Sequence, residues 1–314
     1  AGPLNPPPGP IAPTPFDTGS SDPRTTISVE NTPGGLPAVF LIDQPGSYVL
    51  ESDVDVPIGK AGLRVEARNV VIDLNGFTIR GNQQGLHGIE LAEPSDGLGV
   101  GPVYIFNGAI TGVLGEGVSG ADGRLHLERL DVSDTGGDGI VAGPRSLIDA
   151  CAVENAGDDG IVAGTHALVT RSSVFNHDQV GFDLLPDSAA YQCVAVSGRV
   201  GFRVGAGGRA ERCVSTNYIV NGIEAGDRAA VTECQVSIGF TGVRAIGTGA
   251  RIEGNLVSSS GIALAADAGG NLIVRNTVHG NGSPFDLAPG NTVGPTVDAG
   301  TITLIANPTA NIVY

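Results

Sequence analysis

The sequence contains no methionine and no tryptophan, and only 4% of its residues are aromatic. It has no apolar run with a 3.6-residue period long enough to predict a helix. No stretch approaches the roughly 18 consecutive apolar residues that a membrane-spanning helix needs. These absences argue against a helical bundle and against a protein with membrane-spanning helices, and they leave an all-β chain as the prediction.

Basic residues are scarce as well. Lysine occurs once, at Lys60, and the formal net charge is −16. A bare surface of this charge is a poor partner for nucleic acid, for anionic membranes and for polyanions in general. An acidic polymer would have to be bridged by Ca²⁺, which requires clustered carboxylates.

What the sequence does contain is a repeat of about 21 residues. One column of the repeat reads Leu130, Cys151, Ser172, Cys193, Cys213, Cys234, Asn255 and Asn276. The column three residues earlier is apolar throughout: Leu127, Ile148, Val169, Ala190, Ala210, Val231, Ile252 and Ile273. A second strand in each repeat begins at a glycine followed by an apolar residue, as at Gly139-Ile140 and Gly160-Ile161. Short period-2 segments that recur at such a spacing, punctuated by Gly and Asn, indicate a β-solenoid whose coils stack about 4.8 Å apart.

The extent of the repeat divides the chain into four segments. These are an extended proline-rich arm (1–26), an N-terminal cap (27–60), the coils (61–280) and a C-terminal cap (281–314). Because the repeat is unbroken, we expect a single domain of about eleven coils. Residues 82–102 interrupt the period, and their extra segment EPSDGLGVGP (93–102) predicts a lateral loop.

Three of the four cysteines, Cys193, Cys213 and Cys234, occupy one column on consecutive coils. Neighbouring coils bring their Cα atoms within disulfide range, and a secreted chain would permit such a bond. The other interpretation is a ladder of small buried side chains. The sequence leaves these two alternatives open. It contains no C-x-x-C spacing and its histidines are scattered, so we predict no structural zinc site.

Several segments resemble one protein family. QPGSYVL (44–50), GLRVEARNVVIDLNGFTIRG (62–81), the DGI-type turns and ANPTANIVY (306–314) are similar to segments of secreted bacterial right-handed parallel β-helix repeat proteins, which have the pectate-lyase superfamily architecture. The resemblance covers nearly all of residues 35–314 and implies the right-handed coil. It also implies an extracellular or cell-surface location, for which Ala1-Gly2-Pro3 would be a suitable mature start. It implies no single activity, because this architecture hosts carbohydrate-active enzymes as well as non-catalytic fibres and adhesins.

The clearest candidates for chemistry are carboxylates at one turn, Asp158 and Asp159, with Asp138 one coil before. In the related polysaccharide lyases and hydrolases, paired aspartates on adjacent coils bind Ca²⁺ or act as acid and base. The alternative is an ordinary turn, in which Asp and Gly supply the backbone geometry. His177 is a further catalytic candidate, and its alternative is a solvated side chain. The NTD, GHG and RIK motifs of pectin-degrading hydrolases are missing.

The outward column that follows the glycine-apolar pairs also carries charge. It reads Val141, Val162, Asp183, Arg203, Glu224 and Arg244. Opposite charges on successive coils predict ion pairs between neighbouring strands. Such pairs would occupy arginines that a lyase would direct at its substrate.

Two functions of different class follow, and we favour the first. It is a non-enzymatic extracellular structural protein whose N-terminal arm docks on other copies of the chain to build a filament or surface layer. The arm residues that would make this contact are Pro6, Pro7, Pro8, Ile11, Pro13, Pro15 and Phe16. The alternative is a Ca²⁺-assisted polysaccharide lyase or glycoside hydrolase, or an adhesin that binds an extracellular polysaccharide without turnover. No cofactor other than calcium is predicted.

Overall fold

The structure, a computed structural model, describes residues 24–92, 101–298 and 307–314. The seven arm residues predicted to mediate assembly, and most of the predicted lateral loop, lie outside these residues. Within the described ranges, no helix is long and apolar enough to cross a membrane.

Every regular element that the structure describes is a β-strand. The strands are β1 (Thr25–Ile27), β2 (Ala38–Ile42), β3 (Gly46–Leu50), β4 (Val54–Asp55), β5 (Ala61–Val65), β6 (Val70–Asp73), β7 (Thr78–Arg80), β8 (His87–Leu91), β9 (Val103–Thr111), β10 (Val118–Gly120), β11 (Leu125–Thr135), β12 (Ile140–Ala142), β13 (Leu147–Asp149), β14 (Ala152–Ala156), β15 (Ile161–Ala163), β16 (Leu168–Thr170), β17 (Ser173–His177), β18 (Val180–Leu184), β19 (Ala189–Tyr191), β20 (Val194–Val204), β21 (Arg209–Glu211), β22 (Val214–Ala225), β23 (Ala230–Thr232), β24 (Gln235–Ala245), β25 (Arg251–Glu253), β26 (Leu256–Ala266), β27 (Leu272–Val274), β28 (Thr277–His279), β29 (Ser283–Leu287), β30 (Thr292–Val293), β31 (Thr296–Asp298) and β32 (Asn311–Val313).

These strands form three parallel sheets that wrap around one core. Sheet 1 contains β2, β5, β8, β10, β12, β15, β18, the second halves of β20, β22, β24 and β26, and β29. Sheet 2 contains β1, β3, β6, the first halves of β9 and β11, β13, β16, β19, β21, β23, β25, β27 and β30. Sheet 3 contains β4, β7, the second halves of β9 and β11, β14, β17, the first halves of β20, β22, β24 and β26, β28, β32 and β31.

The chain therefore winds once through all three sheets in each coil, and it makes about twelve coils. At about 4.8 Å per coil, the stack is about 55 Å long. This confirms the all-β parallel solenoid predicted from the repeat, with about one coil more than expected. Both ends continue the sheets: β1 pairs with β3, and β32 lies between β28 and β31.

The core consists of like residues stacked from coil to coil. The apolar column predicted from the sequence is fully buried, for example at Ile148, Val169 and Ile252. Phe182 and Phe202 stack with their ring centroids 4.7 Å apart and their planes 4° from parallel. Each in-register pair covers the apolar surface of the coils on either side, which a single coil cannot bury alone.

The coil turns sharply from sheet 2 to sheet 3 at one residue with positive φ. In successive coils these residues include Asn107, Arg129, Ala150, Arg171, Gln192, Arg212, Glu233, Gly254 and Arg275. The left-handed conformation is unfavourable for most side chains. It is held here because backbone hydrogen bonds join equivalent turns, such as Ala150 N–H to the Thr170 carbonyl at 3.0 Å. Several of the long side chains at these turns bind neighbouring carboxylates, as Arg171 does with Asp149.

Next to this turn lies the column of cysteines and asparagines, which forms one buried ladder. The Asn255 amide donates to the Val231 carbonyl at 2.9 Å, and its backbone N–H donates to Oδ1 of Asn276 at 3.0 Å. On the next coil, the Asn276 backbone N–H donates to Oδ1 of Asn311 at 3.0 Å, and the Asn276 amide donates to the same oxygen at 3.2 Å. The ladder satisfies backbone groups that would otherwise be buried without a partner.

The cysteines fill the same positions with thiols. Each of three thiols contacts a backbone carbonyl of the preceding coil at 3.5–3.6 Å, as the asparagine amides do on later coils. The pairs are Cys193 with Val169, Cys213 with Ala190, and Cys234 with Ala210. All four cysteines of the chain are buried and free. The structure therefore corresponds to the ladder of small buried side chains rather than to the disulfide.

A third interior column, where sheet 3 turns towards sheet 1, alternates large and small residues. His177 packs against Gly198, where an added Cβ would lie 1.9 Å from the imidazole Nε2. Tyr218 packs against Gly239 in the same way, with 2.0 Å to its Cε2 atom. The Tyr218 hydroxyl reaches past that glycine to Oγ of Ser260 at 2.7 Å. Each ring occupies space that the neighbouring coil leaves by having no side chain.

We predict that Asn276→Ala lowers the free energy of unfolding by about 2–4 kcal/mol, because it leaves the Ile252 carbonyl and the Asn255 N–H buried without partners. Urea unfolding followed by circular dichroism measures this. Ser258→Ala, on the outer face of sheet 3, is the control and should cost less than about 0.5 kcal/mol. An equally small loss in both variants would contradict the ladder's role.

We also predict that the thiols do not react with a chromogenic disulfide reagent in the native protein, whereas all four react after unfolding without reductant. Burial removes access to all four thiols, and it also raises the pKa of Cys151 to about 12, so the reactive thiolate of that residue is scarce. Recovery of only two thiols after unfolding would show that a disulfide had formed between neighbouring coils.

Candidate functional site

Asp138 and Asp159 occupy equivalent positions on the turn that leads into sheet 1. Each lies two residues before a buried isoleucine, Ile140 or Ile161, and these isoleucines are paired in register on β12 and β15. The turn places each carboxyl at the edge of the outer face of sheet 1, where it is half-buried. The two carboxyls are therefore neighbours on adjacent coils, as the sequence predicted.

Each of these carboxyls binds the backbone of the next coil. Oδ1 of Asp138 accepts a hydrogen bond from the Asp159 N–H at 2.8 Å, and Oδ1 of Asp159 accepts one from the Val180 N–H at 2.8 Å. The second oxygen of each carboxyl makes no hydrogen bond within the part of the chain that the structure describes, and it is not buried. The turn interpretation therefore accounts for one oxygen of each residue and leaves the other open to a ligand.

The environment makes ionisation of these carboxyls unfavourable. Burial raises the pKa of Asp159 to about 6, and the charges of Asp138, Asp183 and Asp158 add to the effect against the hydrogen bond from Val180. Burial also raises the pKa of Asp138, followed by repulsion from Asp158, Glu116 and Asp183. Desolvation and like charges both favour the neutral acid. The cluster therefore tends to retain a proton in mildly acidic solution.

On the outer face of sheet 1, Asp183 belongs to the charged column predicted from the sequence. Arg203 lies between Asp183 and Glu224, with nitrogen–oxygen distances of 3.3 Å and 3.2 Å. Burial raises the pKa of Asp183, although Arg203 counteracts it. These contacts confirm the predicted ion pairs at Asp183, Arg203 and Glu224, whereas Arg244 binds Asp267 instead.

Two residues of this row were not identified from the sequence. His87 and Glu116 precede Gly88 and Gly117, and the pairing of β8 with β10 aligns them with Asp138 and Asp159 on earlier coils. His87 Nδ1 lies 2.6 Å from Oε2 of Glu116, and this carboxylate raises the pKa of the imidazole. The signal that would have found them is the glycine-apolar pair that follows each residue, which the long spacing between residues 88 and 117 obscured.

The other two predicted site residues differ from Asp138 and Asp159. Asp158 is exposed on the turn, beside the half-buried pair. His177 is 3% exposed, so the expectation of a solvated side chain was wrong. Its Nε2 lies 3.1 Å from the Val200 carbonyl, and its Nδ1 is buried without a hydrogen-bond partner. The reason is the glycine at position 198, which makes room for the imidazole inside the coil.

Asp138, Asp158 and Asp159 were also predicted to be possible calcium ligands. Among the described residues, no three His, Cys, Asp or Glu side chains converge closely enough to hold a metal ion. Asp138 and Asp159 each use one oxygen on the backbone, and Asp158 is exposed beside them. Their arrangement does not fit a preformed calcium site, so calcium binding by Asp138, Asp158 and Asp159 stays a prediction and no step below depends on it.

Comparisons with known proteins bear on the fold. No protein-family model matches the chain, and no curated protein matches it by sequence. The chain is similar in structure to the A-module of the Azotobacter vinelandii mannuronan C-5 epimerase AlgE4, with 14% sequence identity, a TM-score of 0.60, and coverage of 86% of this chain and 88% of that one.

Two other solved structures share less of the geometry. The pectate lyase Pel9A is 13% identical over 76% of this chain and 70% of its own, with a TM-score of 0.45. The tailspike protein of E. coli bacteriophage HK620 is 13% identical over 86% of this chain and 56% of its own, with a TM-score of 0.46. The similarity to the epimerase module confirms the fold implied by the sequence resemblance, a right-handed parallel β-helix.

We predict that Asp159→Asn stabilises the protein at pH 7 by about 1 kcal/mol, after allowance for solvent screening of a half-buried group. The asparagine keeps an acceptor for the Val180 N–H but removes the cost of burying a charge. The pKa of Asp159 rises from 3.8 to about 6 on folding, so its carboxyl binds more protons in the native state than in the unfolded state between these values. The wild type therefore loses stability as pH rises through this window, and the variant loses less.

Urea midpoints of the two proteins between pH 4 and pH 7.5 test this. The two stabilities should converge towards pH 4. A variant that is less stable than the wild type at pH 7 would instead assign Asp159 a purely structural role in the turn.

Proposed function

We propose that the protein is a polysaccharide-active enzyme that binds a glycan along the outer face of sheet 1 and hydrolyses it, with Asp159 as the proton donor. The observation that carries the proposal is the Asp159 carboxyl, which is half-buried among Asp138, Asp158 and Asp183 and has a pKa raised to about 6. Hydrolysis of a glycosidic bond needs one carboxyl that holds its proton and a second that has lost it. A cluster of interacting carboxyls supplies both, because ionisation of one opposes ionisation of the next.

The two neighbouring carboxyls have different roles in the reaction, and each acts through the oxygen that does not bind the backbone. Protonated Asp159 gives its proton to the glycosidic oxygen, so that the leaving sugar departs as an alcohol. Ionised Asp138, on the adjacent coil about 4.8 Å away, attacks the anomeric carbon, and water then hydrolyses the glycosyl-enzyme intermediate as Asp159 takes back a proton. The backbone hydrogen bonds to Oδ1 hold each carboxyl in place and leave Oδ2 for the reaction.

Hydrolysis suits this face better than elimination from an acidic glycan. An elimination needs positive charge beside the carboxylate of the sugar, whereas Arg203 is already held between Asp183 and Glu224. The carboxylates around Asp159 would also repel an anionic chain. The face therefore favours a glycan that carries no charge where it meets Asp138 and Asp159.

One comparison with a known structure supports a polysaccharide as the substrate. The epimerase with the TM-score of 0.60 is named for its action on mannuronan, so a chain of this fold can present a surface to a polysaccharide. Fold alone does not imply function, and the argument for activity rests on the carboxyls described above. An extracellular or cell-surface location suits a polysaccharide substrate and belongs to the same proposal.

The other function favoured by the sequence, self-assembly through the arm, stays a prediction. The arm residues concerned lie outside the described residues. The last residues of the predicted arm that the structure does describe lie on the protein's own coils: Thr25 and Thr26 pair with β3, and Arg24 binds Asp73 at 2.5 Å.

We expect the wild type to release reducing sugars from at least one member of a panel of neutral plant, fungal and bacterial polysaccharides, and Asp159→Asn to lower the rate at least about 100-fold. Asp131→Asn is the matched control, because Asp131 is an exposed carboxyl on β11 in sheet 3 and lies outside the cluster around Asp159, and its rate should stay within threefold. The wild-type rate should fall as pH rises above about 6, because Asp159 then loses the proton it must donate.

Equal rates in the two asparagine variants would show that Asp159 is not the proton donor. If no polysaccharide on the panel is cleaved, hydrolysis is excluded. Binding of the same panel then shows whether the protein is a glycan-binding adhesin.

A further inference from the structure

A notch with a volume of about 540 Å³ lies where sheet 3 turns towards sheet 1. Its lining residues come from four successive coils, which contribute Asn155, Asn176, Ser197 and Asn217 together with the one or two residues that follow each of them. The notch begins at Asn155 to Gly157, directly before Asp158 and Asp159 in the chain. It therefore extends the acidic site along the rod, over coils to which the proposed reaction assigns no role.

The polar wall of the notch is a column of short uncharged side chains. Asn155, Asn176, Ser197 and Asn217 all have positive φ and occupy equivalent places on consecutive coils. Neighbouring members are joined in pairs: the Asn176 amide donates to Oδ1 of Asn155 at 3.3 Å, and the Asn217 amide donates to Oγ of Ser197 at 2.8 Å. Each amide has more donor and acceptor capacity than these bonds use. The column therefore offers hydrogen bonds at the spacing of the coils.

A buried polar atom lies in the same place without a partner. His177 lines the notch, is 97% buried, and its Nδ1 makes no hydrogen bond within the described residues. Burial also lowers the pKa of this imidazole. Unpaired buried polar atoms are rare in folded proteins and call for an explanation. A ligand hydroxyl that reaches the imidazole from the notch would supply a partner for Nδ1, because Nε2, the ring nitrogen nearest Gly198, already contacts the Val200 carbonyl.

The notch also has an exposed apolar side chain. Ile219, which lines it, is 74% exposed, and Phe240, on the next coil and outside the lining, is 62% exposed. The register of β20 and β22 shifts by one residue at this point, so that β22 carries one residue more between Tyr218 and Asn221. This irregularity lies where Ile219 projects from the regular stack. A polar column together with an exposed apolar side chain suits a ligand with hydroxyl groups on its edges and an apolar face, as a pyranose ring has.

Charge decides which kind of glycan fits. Asp178 is the only charged residue among those that line the notch, and no arginine, lysine or metal site is available there to bind a sugar carboxylate or sulfate. We infer that the notch is an anchoring subsite for an uncharged glycan chain, which continues along the rod from the acidic site. The inference rests on the proposed function, because it takes the glycan in the notch to be the chain that the acidic site cleaves. It adds a second binding site and the class of sugar.

The test is a titration of cellohexaose, mannohexaose, xylohexaose and hexagalacturonate into the protein by calorimetry, with Asp159→Asn as the parent so that no oligosaccharide is cleaved. Asn176→Gly with Asn217→Gly removes both amides at positions where glycine keeps the positive φ. Ser259→Gly is the matched control, because Ser259 has φ of 55° in the same column and does not line the notch. Thermal unfolding of each variant checks that it is folded.

We expect at least one of the three uncharged hexasaccharides to bind, with Kd raised at least tenfold by the asparagine pair and less than twofold by Ser259→Gly. Binding that is equal in the pair and in the control would overturn the anchoring role of the notch. Binding of hexagalacturonate alone would overturn the uncharged class and leave a polysaccharide function in place. If none of the four binds, the subsite fails, and cleavage of the polysaccharide panel decides the proposed function separately.

Discussion

The fold depends on backbone hydrogen bonds between coils that keep equivalent residues in register. Once Ile140 pairs with Ile161, every other position of the two coils is aligned, because the side chains of a parallel pair alternate together. A polar residue inside the coil must then find its partner in the coil above or below. The Asn255, Asn276 and Asn311 ladder meets this requirement with amides, and the cysteine stack meets it with thiols.

The same register builds the candidate site from residues that are far apart in sequence. Asp138 and Asp159 are adjacent because their coils are adjacent, and each is fixed by a backbone N–H of the following coil. The scaffold thus holds carboxyls in a partly buried row at some cost in stability, because charge is brought out of water. Such a cost is common at sites that need a proton at a particular place. The polar column of the notch follows the same rule on the neighbouring edge, with amides in place of acids.

Much of this could be predicted from the sequence, and the parts that could not have physical reasons. The inward columns and the Asp183–Arg203–Glu224 column were identified correctly because both depend only on the period. The His87–Glu116 pair was missed because a longer segment separates these coils. The burial of His177 was missed because it depends on the absence of a side chain at Gly198, which becomes meaningful only when the register is known. The notch was missed for a similar reason, since its lining comes from four coils and includes Ile219, where the register shifts.

The alternation of rings and glycines has a consequence for how such a chain can change its length. His177 requires a small residue on the following coil, and Tyr218 requires the same of its own neighbour, so the coils in this region form couples of unlike members. Duplication or loss of one coil would bring two rings, or two gaps, face to face. Duplication or loss of a couple preserves the packing of each ring against its glycine. In this stretch the packing unit is therefore two turns of the solenoid, although the sequence repeat suggests one.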